Sequence, residues 1–455
     1  MFYNKNIHML GIGGISMSGI AKILLSFNCK VSGYDATETD LTRDLIAKGI
    51  DVRYETSLEN VEKADIIVYT AAIPKDNEEL LYAQKLNKEI YERSTFLGLI
   101  MKDYKNVLCI SGTHGKSTTT GMVSSIFISA HLNPTIQIGA MLPLIGGNEH
   151  IGNKDFFIAE SCEYVDSFLE FFPTAAIILD IDNDHLNYFK NIDNIIHSFN
   201  RFTRLLPDNG ILVVNNDDEN TLMAVKDYDK KKITYGIKND AMYMAKNITY
   251  DEAGHPSYDL YINNTLTTRI SLSVNGYHNV LNSLAAIALS HQYINDIEVM
   301  KEALYNYHGV GRRFEYLGKY NNALIYDDYA HHPSEIKTTY ESVKKTKHNK
   351  DYAIFQGHTF SRTKDHLESF AEILSKFDNV IIAKIYPARE ENIYNVHEED
   401  LVDLIKKKGN QNVIYLDTFE KIEDFIKENV NENDLVITIG AGPVNQIAQN
   451  LVKEN

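Results

Sequence analysis

The chain has 455 residues, too many for one hydrophobic core and a suitable length for three domains. It is 44% hydrophobic and 24% charged, and 45 Lys and Arg against 62 Asp and Glu leave a net charge of −17. That balance argues against a general nucleic-acid or anionic-membrane surface, while local basic pockets for an anionic substrate remain open. The three cysteines, Cys29, Cys109 and Cys162, are scattered without metal-type spacing, which argues against a disulfide framework and for a reducing compartment. The first apolar run is broken by Gly11, Gly13, Gly14 and Lys22, and no stretch reaches membrane-spanning length. The expected location is the cytoplasm, with neither membrane insertion nor nucleic-acid binding.

The first hundred residues alternate strand-like runs ("IHMLGI", "KVSGYD", "ADIIVYTAAI") with helix-like ones ("SMSGIAKILLSF", "TRDLIAKG"). Such alternation predicts a parallel sheet with crossover helices. The first strand breaks into Gly11, Gly13 and Gly14, and a helix begins at Ser16, the position where G-x-G-x-x-G has its third glycine. Gly14 and Gly19 partly compensate. Glycines let the backbone approach an anion, and the helix start offers unpaired N–H groups and its positive dipole end. Asp35, at the end of the next strand, has roughly the spacing of a ribose-binding acid. The turn therefore predicts a diphosphate site. NAD is one candidate ligand, and a turn without a ligand is the plainer alternative.

"RSTFLGLIMKDYKN" leads into a strand, "VLCISG", followed by "THGKSTTTG". A strict P-loop has its first glycine at 110, where this chain carries Ile110; the glycine stands two residues later, at Gly112. The chemistry is complete all the same. Backbone N–H groups can wrap phosphates, Lys116 can reach the β- and γ-oxygens, and the Ser117 hydroxyl suits Mg²⁺. Gly112, Thr113, His114, Gly115, Lys116, Ser117 and Thr118 are the expected ATP loop.

Further strands follow in "DFFIAES", "AAIILDI" and "GILVVNNDD". An alternating stretch from about 240 to 275 reads as antiparallel ribbons, and helices are expected around 277–290 and 296–307. "ALIYDDYAHHP", "DYAIFQGHTFSRT", "NVIIAKIYPAREE", "NVIYLD" and "DLVITIGAG" predict a third α/β domain.

In chain order, "GIGGISMSGIA", "GTHGKSTTT", "AESCEYVDSFL", "DIDNDHLNYF", "GYHNVLNSLAA", "GVGRRFEYLG", "DDYAHHPSE", "FQGHTFSRT" and "ITIGAG" together resemble the Mur ligases of peptidoglycan synthesis, across nearly the whole chain. The resemblance implies an α/β protein of three domains. These are an N-terminal Rossmann-like domain for a UDP-sugar (1–103), a central P-loop ATPase-type domain with a mixed sheet (104–311), and a C-terminal Rossmann-like domain for the incoming amino acid (312–455). It implies an ADP-forming ligase that joins L-alanine to the carboxylate of UDP-N-acetylmuramate through an acyl phosphate. ATP and Mg²⁺ are the implied cofactors, the state is monomer or homodimer, and closure of the domains is expected to keep water from the acyl phosphate.

By the same resemblance, Gly11, Gly13, Gly14, Ser18, Asp35, Thr70, Ala71, Ala72 and Arg93 line the UDP-sugar site. Ser117, Glu163 and His185 are the implied metal ligands. Glu163 and His185 follow "FFIAE" and "AAIILDI", at strand ends where α/β sites form. Glu160 is expected outside the metal shell and Asp184 as a helix cap. His278, Asn279 and Asn282 would hold the adenine, because an Asn amide offers both a donor and an acceptor. Arg312 would reach the γ-phosphate while Arg313 ties the linker, and Asp327, with Asp328 and Tyr329, would meet the ATP. Tyr329, His331, His358 and Arg362 fall to the amino acid, and the pair His331 and His332 lacks a third zinc ligand at suitable spacing. Lys116, Glu163, His185, Arg312 and His358 form the catalytic set, with the amine proton going to His358, His185 or solvent. The loop "PAREE" (387–391) is a further candidate for substrate contact.

The chain departs from the common family pattern at Cys162 and Tyr164, where many members carry Asp and Ser. It departs again at Gly357 and Thr359, where Pro and Arg are common. These positions bear on substrate contact rather than on the reaction. Two other activities stay open: a sibling ligase that adds a preformed peptide to the same nucleotide sugar, and, from the first turn alone, an NAD-dependent oxidoreductase. A catalytically idle nucleotide-binding regulator is a third reading.

Overall fold

The computed structural model describes residues 2–388 and 390–454. The first sheet contains β1 (Asn6–Leu10), β2 (Lys30–Tyr34), β3 (Asp51–Arg53), β4 (Ile66–Tyr69) and β5 (Glu89–Glu92), in the order β3-β2-β1-β4-β5. All its pairings are parallel. Its two edge strands, "DVR" and "EIYE", were not singled out from the sequence. They are short and half polar, because an edge strand needs little apolar surface.

The second sheet is mixed and contains ten strands. They are β6 (Asn106–Ser111), β7 (Thr135–Leu142), β8 (Gly147–His150), β9 (Phe156–Glu160), β10 (Ala175–Ile178), β11 (Ile211–Asn215), β12 (Lys232–Gly236), β13 (Tyr243–Tyr250), β14 (Pro256–Ile262) and β15 (Thr265–Ser271). The order is β15-β14-β13-β12-β11-β10-β6-β9-β7-β8. At its centre β6 is sandwiched between β9 and β10, and Leu108, Cys109 and Ile110 are fully buried, as expected of a strand covered on both faces. β13 opens parallel to β12, so the stretch expected as antiparallel ribbons begins with a parallel pairing.

The third sheet comprises β16 (Glu315–Tyr320), β17 (Ala323–Asp328), β18 (Asp351–His358), β19 (Asn379–Tyr386), β20 (Val413–Leu416) and β21 (Leu435–Ile439). Its order is β16-β17-β21-β18-β19-β20, parallel except for the β16–β17 pair. The chain is thus three α/β domains, each built on its own sheet.

By packing, the chain divides into two compact units. One is Met1–Lys246 with Asp259–Thr268 and Leu281–Tyr307, and the other is Asn247–Tyr258, Arg269–Val280 and His308–Asn455. The first and second sheets share the first unit because helix Arg93–Met101 joins their cores. Phe96, Ile100 and Met101 belong to one apolar cluster with Phe168, Phe171 and Phe199. Gly98 permits this approach, since a Cβ there would lie 2.0 Å from the Glu170 carbonyl oxygen. Among the described residues no helix is long and apolar enough to cross a membrane.

Candidate functional site

The first glycine turn links β1 to helix Ile15–Ser26, which has Gly14 as its N-cap and no side-chain cap. A helix start of this kind leaves backbone donors for an anion. The Gly13 N–H donates to the Asp35 carboxylate at 2.8 Å, so Asp35 braces the turn from within. Arg93 donates from Nη1 to the Ser16 hydroxyl at 3.3 Å, which brings a cation from β5's end to the helix start. Thr70 packs beside Gly11, and Ala71 and Ala72 follow it, exposed, at the end of β4. Ser18 is buried in the first turn of the helix, where its N–H donates to the Gly14 carbonyl at 2.8 Å and its hydroxyl to the Ile15 carbonyl at 3.0 Å.

Two residues that sequence reasoning missed join this group. Gln137 of β7 donates from Nε2 to the carbonyl and hydroxyl oxygens of Ser16, at 2.9 and 3.0 Å. Asn148 of β8 donates to the Ile15 carbonyl at 2.5 Å. Each also has a buried amide oxygen, Gln137 Oε1 and Asn148 Oδ1, without a hydrogen-bond partner. Nearby, the buried Lys22 pairs with Glu149 at 2.9 Å and with Asp44 at 2.7 Å. No local motif signalled these contacts, because β7 and β8 lie more than a hundred residues downstream of the turn.

The P-loop follows β6 and opens helix Lys116–Ser129. Its N-cap, Gly115, takes the left-handed conformation at φ 78°, and a Cβ there would lie 2.6 Å from Asn282 Oδ1. Glycine is therefore required on two counts. The Thr113 N–H donates to the Asp180 carbonyl at 3.0 Å, and the His114 N–H to the Asp180 carboxylate at 2.8 Å. The Asp182 N–H donates to the Thr113 hydroxyl at 2.9 Å. Asp180, which sequence reasoning did not assign, thus moulds the loop, and burial pushes its carboxyl up to about 6.

Lys116 donates from Nζ to the Gly112 and Thr113 carbonyls at 2.6 and 3.0 Å, and to both Glu163 oxygens at 3.0 and 3.3 Å. Burial alone would lower its pKa, but the Glu163 carboxylate outweighs this and holds the ammonium above its ordinary value. Glu163 is 1% exposed, and His185 Nε2 lies 3.9 Å from its Oε1. The Ser117 hydroxyl is also buried at the head of the helix, and Thr118 accepts a hydrogen bond from the Tyr307 hydroxyl at 3.1 Å. Glu160 accepts the Gly139 N–H at 2.8 Å, and Asp184 accepts the His185 N–H at 2.6 Å.

His278, Asn279 and Asn282 occupy the first turns of helix Tyr277–Ser290. Asn279 donates to the Asn275 carbonyl at 2.7 Å, and Asn282 lies against Gly115.

In the second unit, the chemistry collects at the ends of β17, β18, β19 and β21. Arg312 donates from Nε to Asp327 at 2.9 Å and from Nη2 to the carbonyls of Gly440 and Gly442 at 2.6 and 3.0 Å. Arg313 pairs with Glu335 at 3.5 Å and keeps 34% of its side chain exposed. Arg312 is thus tied to β17 and to the loop after β21, and Arg313 to helix Pro333–Lys345. The reason for the first tie is Asp327, whose buried carboxylate requires a cation and a hydroxyl, supplied by Arg312 and Thr438. Burial raises the Asp327 pKa, against the opposing pull of Arg312. Asp328 is also buried and pushed up to about 6, and it accepts the Thr339 hydroxyl at 2.7 Å.

Tyr329, His331, His358 and Arg362 do come together. Ring centroids lie 5.3 Å apart for Tyr329 and His331 and 6.1 Å apart for His331 and His358, and Arg362 Nη1 stands 3.4 Å from His358 Nδ1. Burial, Arg362 and His331 depress His358 to about 4, so its imidazole is neutral near pH 7. His332 instead caps helix Pro333–Lys345. Tyr386, which sequence reasoning missed, stacks on His358 at 5.7 Å, and its only signal was its place at a strand end. Of the "PAREE" loop, Glu390 accepts the Ser361 N–H at 2.9 Å, whereas Arg389 lies outside the described residues. Thr359 adopts φ 53°, a strained value for a β-branched residue, at the edge of this group.

Among the described residues, one cluster has metal-type proximity, His348, Asp351 and Asp378, and Lys344 already pairs with Asp351 there at 2.8 Å.

Three family models match the chain in order. They are the Mur ligase family, catalytic domain, over residues 6–105; the Mur ligase middle domain over 110–290; and the Mur ligase, glutamate ligase domain, over 312–442. A UDP-N-acetylmuramate–L-alanine ligase of Caldanaerobacter subterraneus subsp. tengcongensis is 44% identical over 451 residues, covering 99% of this chain and 98% of the relative. A ligase of the same name from Lachnospira eligens is 46% identical over 450 residues, covering 98% of each. The crystal structure of UDP-N-acetylmuramate-alanine ligase MurC from Thermotoga maritima is similar with a TM-score of 0.84 and 28% identity, covering 99% of both chains. With all three sheets matched and relatives of this identity along its full length, the chain belongs to the Mur ligase family of ATP-dependent, amide-bond-forming ligases.

Proposed function

We propose that this protein joins L-alanine to UDP-N-acetylmuramate in peptidoglycan precursor synthesis, in the cytoplasm. A carboxylate oxygen of the sugar's lactyl group attacks the γ-phosphorus of ATP, giving an acyl phosphate and ADP. The alanine amine then attacks the acyl carbon, phosphate leaves, an amide bond forms and the amine gives up a proton. Residues 1–103 would serve the nucleotide sugar, 104–311 the ATP and 312–455 the amino acid. The observation that carries this reading is the pairing of Lys116 with buried Glu163 on a P-loop, in a chain similar throughout to alanine ligases.

The donor set suits Mg²⁺: a buried carboxylate on Glu163 and a buried hydroxyl on Ser117 are oxygen ligands, and the His185 imidazole stands beside the carboxylate. Bound there, Mg²⁺ would neutralise charge on the β- and γ-phosphate oxygens. Lys116 adds a fixed cation against the same oxygens. The P-loop N–H groups after His114 orient the triphosphate, and Asp180, which accepts those of Thr113 and His114, holds the loop in shape. Neutral His358 is able to take the amine proton as the carbon–nitrogen bond forms, and Arg362 beside it suits the alanine carboxylate. Arg93, with the uncapped helix start behind Gly14, suits the UDP diphosphate.

The test is phosphate release with UDP-N-acetylmuramate, ATP and, in parallel, L-alanine, L-serine, glycine and a preformed tripeptide. Release fastest with L-alanine is expected. Preference for the tripeptide would move the protein to the sibling activity, and no release with any acceptor would end the ligase reading.

A further inference from the structure

The segment after Glu163 is backbone-strained. Val165 (φ 51°, ψ 30°) and Asp166 (φ 59°, ψ 21°) are consecutive left-handed residues, and Val165 is β-branched. Such a conformation persists only where its surroundings hold it, and it tends to mark function. Here the holder is Asp166. Its N–H donates to the Glu163 carbonyl at 2.9 Å. Its carboxylate accepts three side chains: the Ser198 hydroxyl, the Tyr188 hydroxyl at 3.0 Å and Arg201 Nη1 at 3.3 Å.

Those donors come from two further elements. Ser198 and Arg201 sit three residues apart on helix Ile192–Thr203 and so share a face. Tyr188 belongs to the short helix Leu186–Phe189, whose N-cap, His185, is itself left-handed at φ 53°. Tyr164 closes the group from the other side. Its ring lies 4.5 Å from the His185 imidazole and 6.3 Å from Tyr188. The Asp166 carboxylate therefore ties the strained turn that carries Glu163 to the short helix that carries His185.

We propose that Asp166 is a positioning residue of the active site. Its carboxylate latches both segments and holds Glu163 and His185 as a preformed pair of metal ligands. The inference rests on the reading that these two side chains hold Mg²⁺ with ATP. The strain at Val165 and Asp166 is carried in the resting fold, so the backbone that bears the two ligands need not rearrange when nucleotide arrives. Without the latch, the turn relaxes toward the right-handed region and the Glu163 carboxylate loses its fixed bearing on His185.

The test measures Mn²⁺ binding to the full-length protein by electron paramagnetic resonance, with a non-hydrolysable ATP analogue present, so that turnover is not the readout. Tyr188→Phe removes only the hydroxyl donated to Asp166, and Asp166→Ala removes the latch. Asp166→Asn keeps an acceptor and a residue tolerant of positive φ. Asp166→Ala is expected to weaken Mn²⁺ binding about tenfold or more, as loss of a ligand-orienting partner does. Tyr188→Phe should weaken it about three- to tenfold, with Asp166→Asn partly rescued. The KM for UDP-N-acetylmuramate should stay within about twofold, which a general loss of structure would not spare. If Asp166→Ala fails to fold, Tyr188→Phe decides alone. Glu163→Gln separates the two ideas. Weakened Mn²⁺ binding in Glu163→Gln but not in the latch variants overturns the latch only. Unchanged binding in all of them overturns the metal assignment and the latch together.

Discussion

At the scale of single residues, the two most exacting positions are Lys116 and His358. Lys116 neutralises Glu163 at 3.0 Å inside the protein, so Lys116→Ala leaves a buried carboxylate unpaired as well as removing a phosphate ligand. The expected outcome is a loss of phosphate release of about a hundredfold or more, together with destabilisation on the order of 3 kcal/mol in urea unfolding. Activity left intact would contradict the role given to the P-loop. His358 is held at about 4 by burial, Arg362 and His331, below the value it has in an unfolded chain. The unfolded state therefore binds the proton first, and this group's contribution makes stability fall as pH drops from about 6.5 to about 4. His358→Gln should flatten that part of the stability–pH curve relative to the parent, measured by urea midpoints across the window. In the active enzyme, an acid limb of kcat/KM due to His358 is expected near pH 4 to 5 rather than near 6.5. A limb near 6.5 that disappears in His358→Gln would show that the histidine is not depressed.

Among elements, the helix Ile15–Ser26 depends most on partners outside its own stretch of sequence. Its start is held by Gln137 and Asn148 from β7 and β8, and Lys22 on the same helix pairs with Glu149. If this helix start binds the UDP diphosphate, Gln137→Ala should raise the KM for UDP-N-acetylmuramate about tenfold while leaving the KM for ATP within about twofold. Steady-state kinetics with each substrate varied in turn would decide it, and an equal rise in both values would assign Gln137 to stability alone. The strands behind the P-loop were legible as apolar runs, whereas β7, β8 and the edges of the first sheet were not. Their residues are stabilised by pairing and by polar contacts across the sheet, which leave no periodic apolar signature. The different surroundings of Arg312 and Arg313 were also beyond sequence reasoning. The two are adjacent, and only the buried Asp327 with the Gly440 and Gly442 carbonyls distinguishes them.

At the scale of the whole molecule, the segments Asn247–Tyr258 and Arg269–Val280 pack with the C-terminal unit although they precede it by tens of residues. Asn275, for instance, donates to the Thr346 hydroxyl at 3.3 Å. A chain ending at Tyr307 should consequently be cut by protease within 247–258 and 269–280, positions protected in the full chain, as mass spectrometry of limited digests would report. Equal protection in both would mean that these segments do not depend on the third sheet. The sequence by itself determined the class of chemistry. The phosphate-binding turns, the strand ends carrying Glu163 and His185, and the order of motifs are local, set within a few residues by covalent geometry and side-chain type. Only the tertiary structure decided which groups support them: Arg93 and Gln137 on Ser16, Asp180 on the P-loop, Tyr188 and Ser198 on Asp166 in the turn after Glu163, Tyr386 on His358. Each of these links residues from about 20 to more than 100 positions apart. Contacts at such separations follow from how the sheets and helices pack, and no pattern of neighbouring residues encodes them.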